Sequence, residues 1–443
     1  MALRPSYPKN LVTEPYEWLI DRSQEFLLCE GNTHSLVGTE QLAASRVSML
    51  QLQVQLRKRA GKRFPSPEKW LWTARSFSQA SDWYSAHFKA SVVPDSCRVL
   101  DGCCAAGSDL VALAQRGPAI GIDLDPELVA LARHNLTAHQ MSAEVQKSDL
   151  LKWASRLEPD DWLHVDPDRG GPEGKTTRSD QFSPSLQSVL SLAEKTAGSL
   201  IKVAPSTQFA EPEKLPLTEL TRLWIGNHGE CKQQVLCVGA AADGLKEIAR
   251  QCDRAHADEN VAVRPIDFLG PNLSQDTELL RWAVLANPSQ DDVTQTAVHL
   301  FAAEEGEAGV EPEEIAFEQS ELGQYIYDLH NTVHAAQLQA SFAKVHRLAA
   351  ITSPNGYFTY DEAIESAWLQ RFRLLDVIAW DDRKMRKCLR GLRAGVVEVK
   401  NRLVKLDANH YQKRYSGHGS QKLTLIVTLL GQRTRCLVCE RGS

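Results

Sequence analysis

Residues 101–109 read Asp-Gly-Cys-Cys-Ala-Ala-Gly-Ser-Asp, and this stretch decides the fold class. It follows an apolar run that ends at Val99-Leu100, and every side chain from 102 to 108 is small. Small side chains let a ligand approach the backbone closely, where N–H groups are free to donate hydrogen bonds. The sequence therefore predicts a strand, then a ligand-binding loop, then a helix.

Short apolar runs alternate with helical segments from about residue 91 to residue 238. The runs after the first lie at 119–122, 143–145, 162–165 and 200–203. This alternation predicts a doubly wound, Rossmann-like α/β sheet. Asp125-Pro126-Glu127 supplies an N-cap, a proline at the first helical position and an acid in the first turn, so a helix should begin there. Ser183-Pro184 predicts another helix start, and 223–238 a hairpin around Asn227-His228-Gly229.

An aspartate lies at or just beyond the end of four of these runs. Asp101, Asp123 and Asp166 follow the first, second and fourth runs, and Asp149 lies just beyond the third. The ends of parallel strands share one sheet edge, where ligands bind. Clustered carboxylates repel one another unless a ligand or hydrogen-bond donors engage them. Each aspartate alone also fits a helix N-cap, whereas the series indicates a binding site.

The spacing of this region favours a nucleoside-bearing cofactor. Asp123 lies 16 residues beyond Gly107, where a carboxylate at the end of the second strand accepts both ribose hydroxyl protons. A dinucleotide site needs three glycines around the pyrophosphate, and Cys104 stands where the middle glycine is required. The loop therefore argues against a dinucleotide.

The acid-first loop and the Asp166-Pro167 pair together resemble class I S-adenosylmethionine-dependent methyltransferases. The similar segments are 101–109 for the family's first motif, 121–126 with 132–135 for the second, 148–150 for the adenine contact, and 166–169 for the catalytic Asp/Asn-Pro-Pro-Tyr motif. A positively charged sulfonium cofactor also tolerates carboxylates that would repel a pyrophosphate.

More narrowly, the chain resembles a bacterial group in which this fold is joined to a C-terminal THUMP-like domain. The match runs, with gaps, from about residue 70 to residue 440. The segments that carry it are Gln79-Ala80-Ser81, Lys202-Val203-Ala204-Pro205, Gly229-Glu230-Cys231-Lys232, 322–327, 398–402 and the strand at 423–430.

The resemblance implies a set of site residues and S-adenosylmethionine as the cofactor. The implied cofactor-binding residues are Gln79, Asp101, Gly102, Cys103, Ala105, Gly107, Asp109, Asp123, Leu124, Asp149, Leu150 and Asp166, and the implied catalytic residues are Asp166, Pro167 and Arg169. Asp101 would lie near the cofactor's amino group, directly or through water, Asp123 would hold the ribose and Asp149 the adenine amino group. Gln79 would close over the cofactor, and Asp166 with Pro167 would face the methyl-bearing sulfur.

Two departures from the family pattern bear on the substrate. Cys103 and Ala105 stand where glycines are usual, which narrows the pocket. Asp166-Pro167-Asp168-Arg169 lacks the aromatic residue that stacks on a base, so Arg169 is expected to contact a phosphate or a carboxylate instead. Asp166 would accept a hydrogen bond or proton from the nucleophile; the alternative is a strand-end acid that binds a backbone N–H. The glycines at 170, 171 and 174 predict a mobile loop.

The chain is expected to divide into four parts. These are an N-terminal helical region (1–88), a methyltransferase domain with a strand-rich extension (89–303), an acidic linker and helical connection (304–355), and a small α+β THUMP-like domain (356–443). Helical spacing predicts a helix over 45–59. Trp70, Trp72, Phe77, Trp83 and Phe88 are expected in the core or at a seam between domains, with base stacking as the alternative. Strands are expected near 396–399 and 423–430.

Charge is distributed unevenly along the chain, whose net charge is −6. Residues 381–443 carry 15 Lys and Arg against five Asp and Glu, whereas the rest carries 35 against 51. The basic end, with its stretch 383–393, predicts a polyanion-binding module, and a solvated sheet face is the alternative. The resemblance to THUMP-like domains implies RNA modification, and together with the basic end it leads us to expect a methyltransferase that acts on RNA. The alternatives are a non-catalytic RNA-binding or scaffold protein, and a methyltransferase acting on a protein or small molecule.

Composition excludes several classes of protein. With 43% hydrophobic and 24% charged residues, the chain is neither mostly disordered nor fibrous. No apolar run approaches the ~20 residues of a membrane helix, and the first 15 residues lack an apolar segment. Ten cysteines are too few for a disulfide scaffold. The lone Cys436-x-x-Cys439 has no second cysteine pair at suitable spacing for zinc, and His410 and His418 are the alternative ligands. We expect a cytoplasmic protein with reduced thiols and no metal; the oligomeric state stays open.

Overall fold

A computed structural model describes residues 16–22, 44–171, 174–207, 209, 220–252, 262–271, 273, 279–303, 322–353 and 355–441. By contact, the chain forms two units. The first comprises 1–222, 233–268 and 286–298, and the second comprises 223–232, 269–285 and 299–443. The predicted acidic stretch 304–321 lies outside the described residues. Among the described helices, none combines the length and the apolar character that crossing a membrane requires.

The larger sheet has ten strands in the order β10-β12-β11-β8-β9-β7-β4-β1-β2-β3. Its strands and the short ribbon β5–β6 are β1 Val99–Gly102, β2 Ala119–Asp123, β3 Glu144–Lys147, β4 Trp162–Val165, β5 Gly170–Gly171, β6 Gly174–Lys175, β7 Gly198–Val203, β8 Thr221–Asn227, β9 Glu230–Gly239, β10 Val263–Leu269, β11 Arg281–Pro288 and β12 Thr296–Ala303. The helices along this part of the chain are α1 Tyr16–Asp21, α2 Ala44–Ala60, α3 Ala74–Gln79, α4 Trp83–Val92, α5 Ser108–Leu113, α6 Pro126–Ala138, α7 Leu150–Trp153, α8 Leu186–Ala193 and α9 Ala241–Cys252.

Strands β3, β2, β1, β4 and β7 pair in parallel, so the predicted parallel sheet is confirmed. Strand β9 lies antiparallel to β7, which closes the parallel part of the sheet. The carboxyl ends of β1 to β4 meet at one edge because parallel neighbours run in the same direction. Backbone bonds from Asp166 N to Gly102 O (3.2 Å) and from Ser148 N to Asp123 O (3.0 Å) continue the ladders beyond that edge.

Two apolar clusters cover this sheet. One contains Leu100, Ile122 and Val165 together with residues of α8. The other contains Trp70, Trp72 and Phe77 together with residues of α5 and α6, so these aromatics belong to the core of the sheet, as one of the two expectations had it. Asp101, His164 and Lys202 are polar but buried among these layers.

Most predicted boundaries are confirmed, and one is wrong. Asp125 caps α6 by accepting a hydrogen bond from Glu127 N (2.9 Å), and β8 and β9 form the expected hairpin. Ser183-Pro184 does not begin a helix, because Ser183 exchanges two backbone hydrogen bonds with Asp168 and is held extended. The N-cap of α8 is Ser185, whose side chain accepts from Ser188 N (3.2 Å).

The second unit is built on a seven-stranded sheet with the order β14-β15-β13-β16-β19-β18-β17. Its elements are β13 Tyr325–Leu329, α10 Asn331–Ala335, α11 Gln339–His346, β14 Ala349–Ile351, β15 Tyr357–Tyr360, β16 Leu369–Ala379, α12 Asp382–Gly391, β17 Ala394–Asn401, α13 Ala408–Tyr415, β18 Gln421–Leu430 and β19 Arg433–Arg441. The two strands predicted near the C-terminus are confirmed as β17 and β18, which pair in parallel.

Candidate functional site

A cavity of about 590 Å³ lies at the carboxyl ends of β1 to β4. Ten of the predicted site residues line it: Gln79, Cys103, Ala105, Asp123, Leu124, Asp149, Leu150, Asp166, Pro167 and Arg169. Four do not line it, namely Asp101, Gly102, Gly107 and Asp109. Asp101 and Asp109 instead line a hollow of about 20 Å³ whose walls share Gln79, Ala105 and Asp166 with the larger cavity.

The loop from β1 to α5 adopts an unusual backbone conformation. Cys103, Ala105 and Gly107 have φ values of 59°, 48° and 81°. The two residues that replace glycines therefore retain the left-handed conformation that favours glycine, at a cost of roughly 1 kcal/mol each. The Gly107 N–H donates to Cys104 O (2.8 Å), and α5 begins directly after it.

Asp123 and Asp149 stand on the side of the cavity formed after β2 and β3. The Asp123 carboxylate accepts from Ala105 N and Asp125 N, both at 2.9 Å, and burial is the main cause that raises its pKa. Asp149 caps α7 by accepting from Leu151 N (2.9 Å). Each carboxylate keeps lone pairs for a ligand, and the exposed side chains of Leu124 and Leu151 supply apolar wall between them.

Asp101 is buried and engaged on one side only. Its Oδ1 lies 2.7 Å from His164 Nδ1, and the two residues face each other in register on β1 and β4. Its Oδ2 is buried and has no hydrogen-bond partner among the described residues. Burial raises the pKa of Asp101, against the opposing influence of His164. An acceptor of this kind calls for a donor that the described residues do not supply.

Gly102 and Asp109 do not line the larger cavity but contact residues beside it. A Cβ added at Gly102 would lie 2.7 Å from Leu150 Cδ2, so Gly102 makes room for that wall residue. Asp109 forms a buried ion pair with Lys89, its Oδ1 lying 2.7 Å from the ammonium. Burial acts to raise the pKa of Asp109, but the surrounding positive charge, that of Lys89 above all, outweighs burial and lowers the pKa below its ordinary value.

Asp166 is held at the end of β4 by a lysine that the sequence analysis did not single out as a site residue. Lys202 Nζ lies 2.6 Å from Asp166 Oδ2 and also donates to Gln79 O (3.1 Å). The lysine side chain is 7% exposed and the aspartate side chain 24%, so the pair is screened from water yet open on the cavity side. Asp166 is thereby oriented with one oxygen engaged and one oxygen left to face the cavity.

Asp168 is tied to the opposite wall of the cavity. Its carboxylate accepts from Arg75 Nη2 (2.5 Å), Gln79 Nε2 (3.2 Å) and Gly170 N (3.1 Å). The residue that replaces the second proline of the family motif thus joins α3 to the loop after β4. Arg169 lines the cavity, and none of the described carboxylates lies within ion-pair distance of its guanidinium.

The cysteines of the loop are not activated nucleophiles. Burial, followed by the surrounding aspartates, raises the pKa of the Cys103 thiol and of the Cys104 thiol. Both therefore stay protonated at neutral pH and act as small wall residues.

Four residues around the site were not assigned a role from the sequence: Lys89, His164, Lys202 and Arg75. One signal was present, because His164 and Lys202 each interrupt an otherwise apolar strand, as Asp101 does in β1. Three neighbouring strands with a polar residue at an inward position indicate a buried polar cluster. The partners themselves are not readable, since Lys89 and His164 are 75 residues apart.

Comparisons with known proteins agree with this geometry. Residues 369–441 match the THUMP domain-like family. An uncharacterized S-adenosylmethionine-dependent methyltransferase of Mycobacterium tuberculosis strain CDC 1551 / Oshkosh is 24% identical over 365 residues, which is 82% of this chain and 86% of the relative. Its counterpart in strain H37Rv matches to the same extent. A solved structure of a proposed methyltransferase from Porphyromonas gingivalis W83 has a TM-score of 0.67 at 16% identity, covering 98% of this chain and all of that one, and shows a shared fold.

The fold, the C-terminal match and the mycobacterial relatives confirm the resemblance drawn from the motifs. The sheet order β3-β2-β1-β4-β7-β9-β8, with β9 antiparallel to β7, carries the glycine-containing loop and the four strand-end aspartates at one edge. The chain is thus similar to S-adenosylmethionine-dependent methyltransferases over most of its length, shares a methyltransferase fold, and ends in a THUMP domain-like region.

Proposed function

We propose that this methyltransferase transfers the methyl group of S-adenosylmethionine to RNA. The observation that carries the proposal is the Asp166 carboxylate, fixed by Lys202 at the wall of the cavity and followed by Arg169. A carboxylate beside an arginine that has no acidic partner among the described residues suits a nucleophile that is attached to a phosphate.

The residues present fit the cofactor. The unpartnered Asp101 Oδ2 is the acceptor that an α-amino group requires. Asp123 would hold the ribose hydroxyls, and Asp149 the adenine amino group between Leu124 and Leu150. Gly102, Cys103, Ala105 and Gly107 would shape the loop along the methionine part, Asp109 would support that loop from α5, and Gln79 would close the cavity from the side of α3.

The cofactor supplies an activated methyl group, so the protein's task is alignment. Asp166 would accept a hydrogen bond or the proton from the nucleophile, with Lys202 keeping the carboxylate oriented. Pro167 follows it in the buried wall, and Arg169 would bind a phosphate of the substrate.

Support for RNA comes from the second unit. Helix α12 exposes Arg383, Lys384, Arg386, Lys387 and Arg390. Asp382 pairs with Arg386 and Arg414, whereas no described carboxylate forms an ion pair with Arg383, Lys384, Lys387 or Arg390. Unpaired cations along one helix are suited to the phosphate backbone. We place the enzyme in the cytoplasm, a proposal supported by nine free cysteines in the described part of the chain.

The experiment measures transfer of tritiated methyl groups to total RNA from a strain that lacks the protein. The wild type should label that RNA, and Asp166→Asn should reduce labelling by roughly 10²-fold or more. Asp180→Asn is the matched control, since Asp180 lies outside the cavity, and it should label RNA normally.

Other outcomes decide between the alternatives. Labelling of protein or small molecules without RNA would overturn the RNA proposal in favour of another substrate class. Salt-sensitive RNA binding without any labelling would favour a non-catalytic RNA-binding protein.

A further inference from the structure

A chain of buried polar groups runs beneath the sheet edge, from α5 through α4 to β4 and β1. It consists of Asp109, Lys89, His164 and Asp101, and we call it the buried relay. Lys89, His164 and Asp101 are each 1% exposed and Asp109 is 7% exposed. Burying four ionisable groups lowers the stability of the fold unless each group is paired, which suggests that the buried relay has a function.

The hydrogen bonds of the relay have one consistent direction. The Lys89 ammonium forms an ion pair with Asp109 Oδ1 at 2.7 Å, donates to Ser81 Oγ at 3.1 Å and lies 3.2 Å from His164 Nε2, and an ammonium group can only donate. His164 Nε2 therefore accepts, which makes Nδ1 the protonated nitrogen of a neutral imidazole. Nδ1 then donates to Asp101 Oδ1 at 2.7 Å. Lys89 thus fixes the tautomer that Asp101 needs.

The relay ends at an unsatisfied acceptor. Asp101 Oδ2 is buried without a partner among the described residues, and Asp101 lines the hollow of about 20 Å³ beside the larger cavity. A hollow of that size accommodates one group about as large as water or ammonium. We propose that His164, held by Lys89, is a positioning residue that keeps the Asp101 carboxylate charged and turned toward the α-amino group of the cofactor.

The physical need for the relay follows from burial. A carboxylate out of contact with water tends to take up a proton, and a protonated Asp101 would not attract an ammonium group. The donor from His164 opposes that tendency, since it stabilises the charged form. The other charged groups that face Asp101 are Asp109 from α5, which opposes ionisation, and Lys89 from α4, which favours it.

Two variants at position 164 separate the functions of the two ring nitrogens. His164→Asn places an amide nitrogen near the position of Nδ1 and keeps the donor to Asp101. His164→Gln places its amide near the position of Nε2 and keeps a partner for Lys89 but leaves Asp101 without its donor. Both variants place an amide at the same buried position, so each serves as the control for altered packing in the other. Thermal unfolding measures how much stability each variant loses.

Calorimetric titration with two ligands isolates the amino group. S-adenosylhomocysteine carries the amino-acid part, and 5′-methylthioadenosine lacks it. His164→Gln should weaken binding of S-adenosylhomocysteine by roughly tenfold or more, whereas binding of 5′-methylthioadenosine should change by less than about twofold. His164→Asn should restore most of the affinity for S-adenosylhomocysteine. Equal losses for both ligands, or equal effects of both variants, would overturn the proposal.

The wild-type protein provides a second test that needs no variant. Because burial raises the pKa of Asp101, the affinity for S-adenosylhomocysteine relative to 5′-methylthioadenosine should fall as pH is lowered from about 8 to about 5. In His164→Gln the fall should begin at higher pH. A ratio that is flat with pH would contradict the proposal.

The inference rests on the cofactor assignment and not on RNA, since neither ligand contains the methyl acceptor. If wild-type protein bound neither ligand, the cofactor assignment itself would fail. Normal binding without sensitivity to position 164 would refute the relay alone.

Discussion

Gly107 combines a left-handed backbone with a crowded neighbour, so it should tolerate a side chain poorly. Its φ is +81°, and an added Cβ would lie 3.3 Å from Ala132 Cβ and 3.4 Å from Ala132 Cα, in a buried contact between the loop and α6. Gly107→Ala should therefore lower the free energy of unfolding by about 1–2 kcal/mol, because the left-handed backbone and the crowded neighbour both oppose a side chain. Chemical denaturation of wild type and variant measures this loss in the free energy of unfolding.

Gly61→Ala is the matched control for that substitution. Gly61 has ordinary backbone angles, and an added Cβ would meet only Lys58 O, at 3.9 Å. Its effect should stay within about 0.5 kcal/mol. Equal destabilisation by both changes would show that the backbone of the loop is not the constraint.

At the residue scale, the aspartates could be predicted and their partners could not. Asp101, Asp123, Asp149 and Asp166 follow strand ends that the hydrophobic pattern marks clearly. The side chains that pair with these aspartates come from distant parts of the chain. Lys202, for example, lies 36 residues beyond its partner Asp166. Such contacts depend on how the helices pack on the sheet, and the local hydrophobic pattern does not indicate that packing.

Helix α3 and the loop after β4 form facing walls of the cavity, and Asp168 connects them. The connection consists of hydrogen bonds to Arg75 and Gln79 on α3 and to Gly170 N in the loop. Asp168→Asn should weaken S-adenosylhomocysteine binding by about three- to tenfold, mainly through faster dissociation, because one wall is released. Stopped-flow displacement of the bound ligand measures the dissociation rate.

Asp180→Asn breaks a comparable exposed pair, Arg178–Asp180, which lies outside the cavity. It should leave the dissociation rate unchanged. An unchanged rate in Asp168→Asn as well would mean that the contact between Asp168 and α3 does not hold the cavity closed.

At the element scale, periodicity found the strands of the parallel sheet and the helix after Asp125. It failed at Ser183-Pro184, where residues that resemble a helix start are drawn into a bridge with Asp168. A cap signal is local, and a pairing 15 residues back along the chain overrides it. The sequence predicts β10 to β12 only as a strand-rich extension without defined ends, because apolar and polar residues alternate weakly there. The four-part division of the chain stays a prediction.

We propose that the first unit binds the cofactor and that the second contacts the RNA backbone. The test replaces four cations of α12 with Gln: Arg383, Lys384, Lys387 and Arg390. The slope of log affinity against log salt concentration should become shallower by an amount that corresponds to about two to three lost phosphate contacts. The affinity for RNA at low salt should fall roughly tenfold or more. S-adenosylhomocysteine binding should be unchanged. Fluorescence anisotropy at several salt concentrations provides the slope.

A control with the same change in net charge uses four exposed lysines of the first unit: Lys58, Lys62, Lys69 and Lys147. Replacing them with Gln should leave the slope nearly unchanged. If both sets reduced the slope equally, the effect would reflect total charge, and α12 would have no special part in binding.

We propose that strand-end carboxylates from β1 to β4 surround one sulfonium nucleoside. Calorimetric titration of the wild type and of Asp123→Ala with S-adenosylhomocysteine examines this arrangement. We expect one site per chain in the wild type and an affinity reduced by roughly tenfold or more in the variant, because the ribose loses its acceptor. No heat from the wild type at about millimolar ligand, a concentration at which even weak sites fill, would contradict the claim.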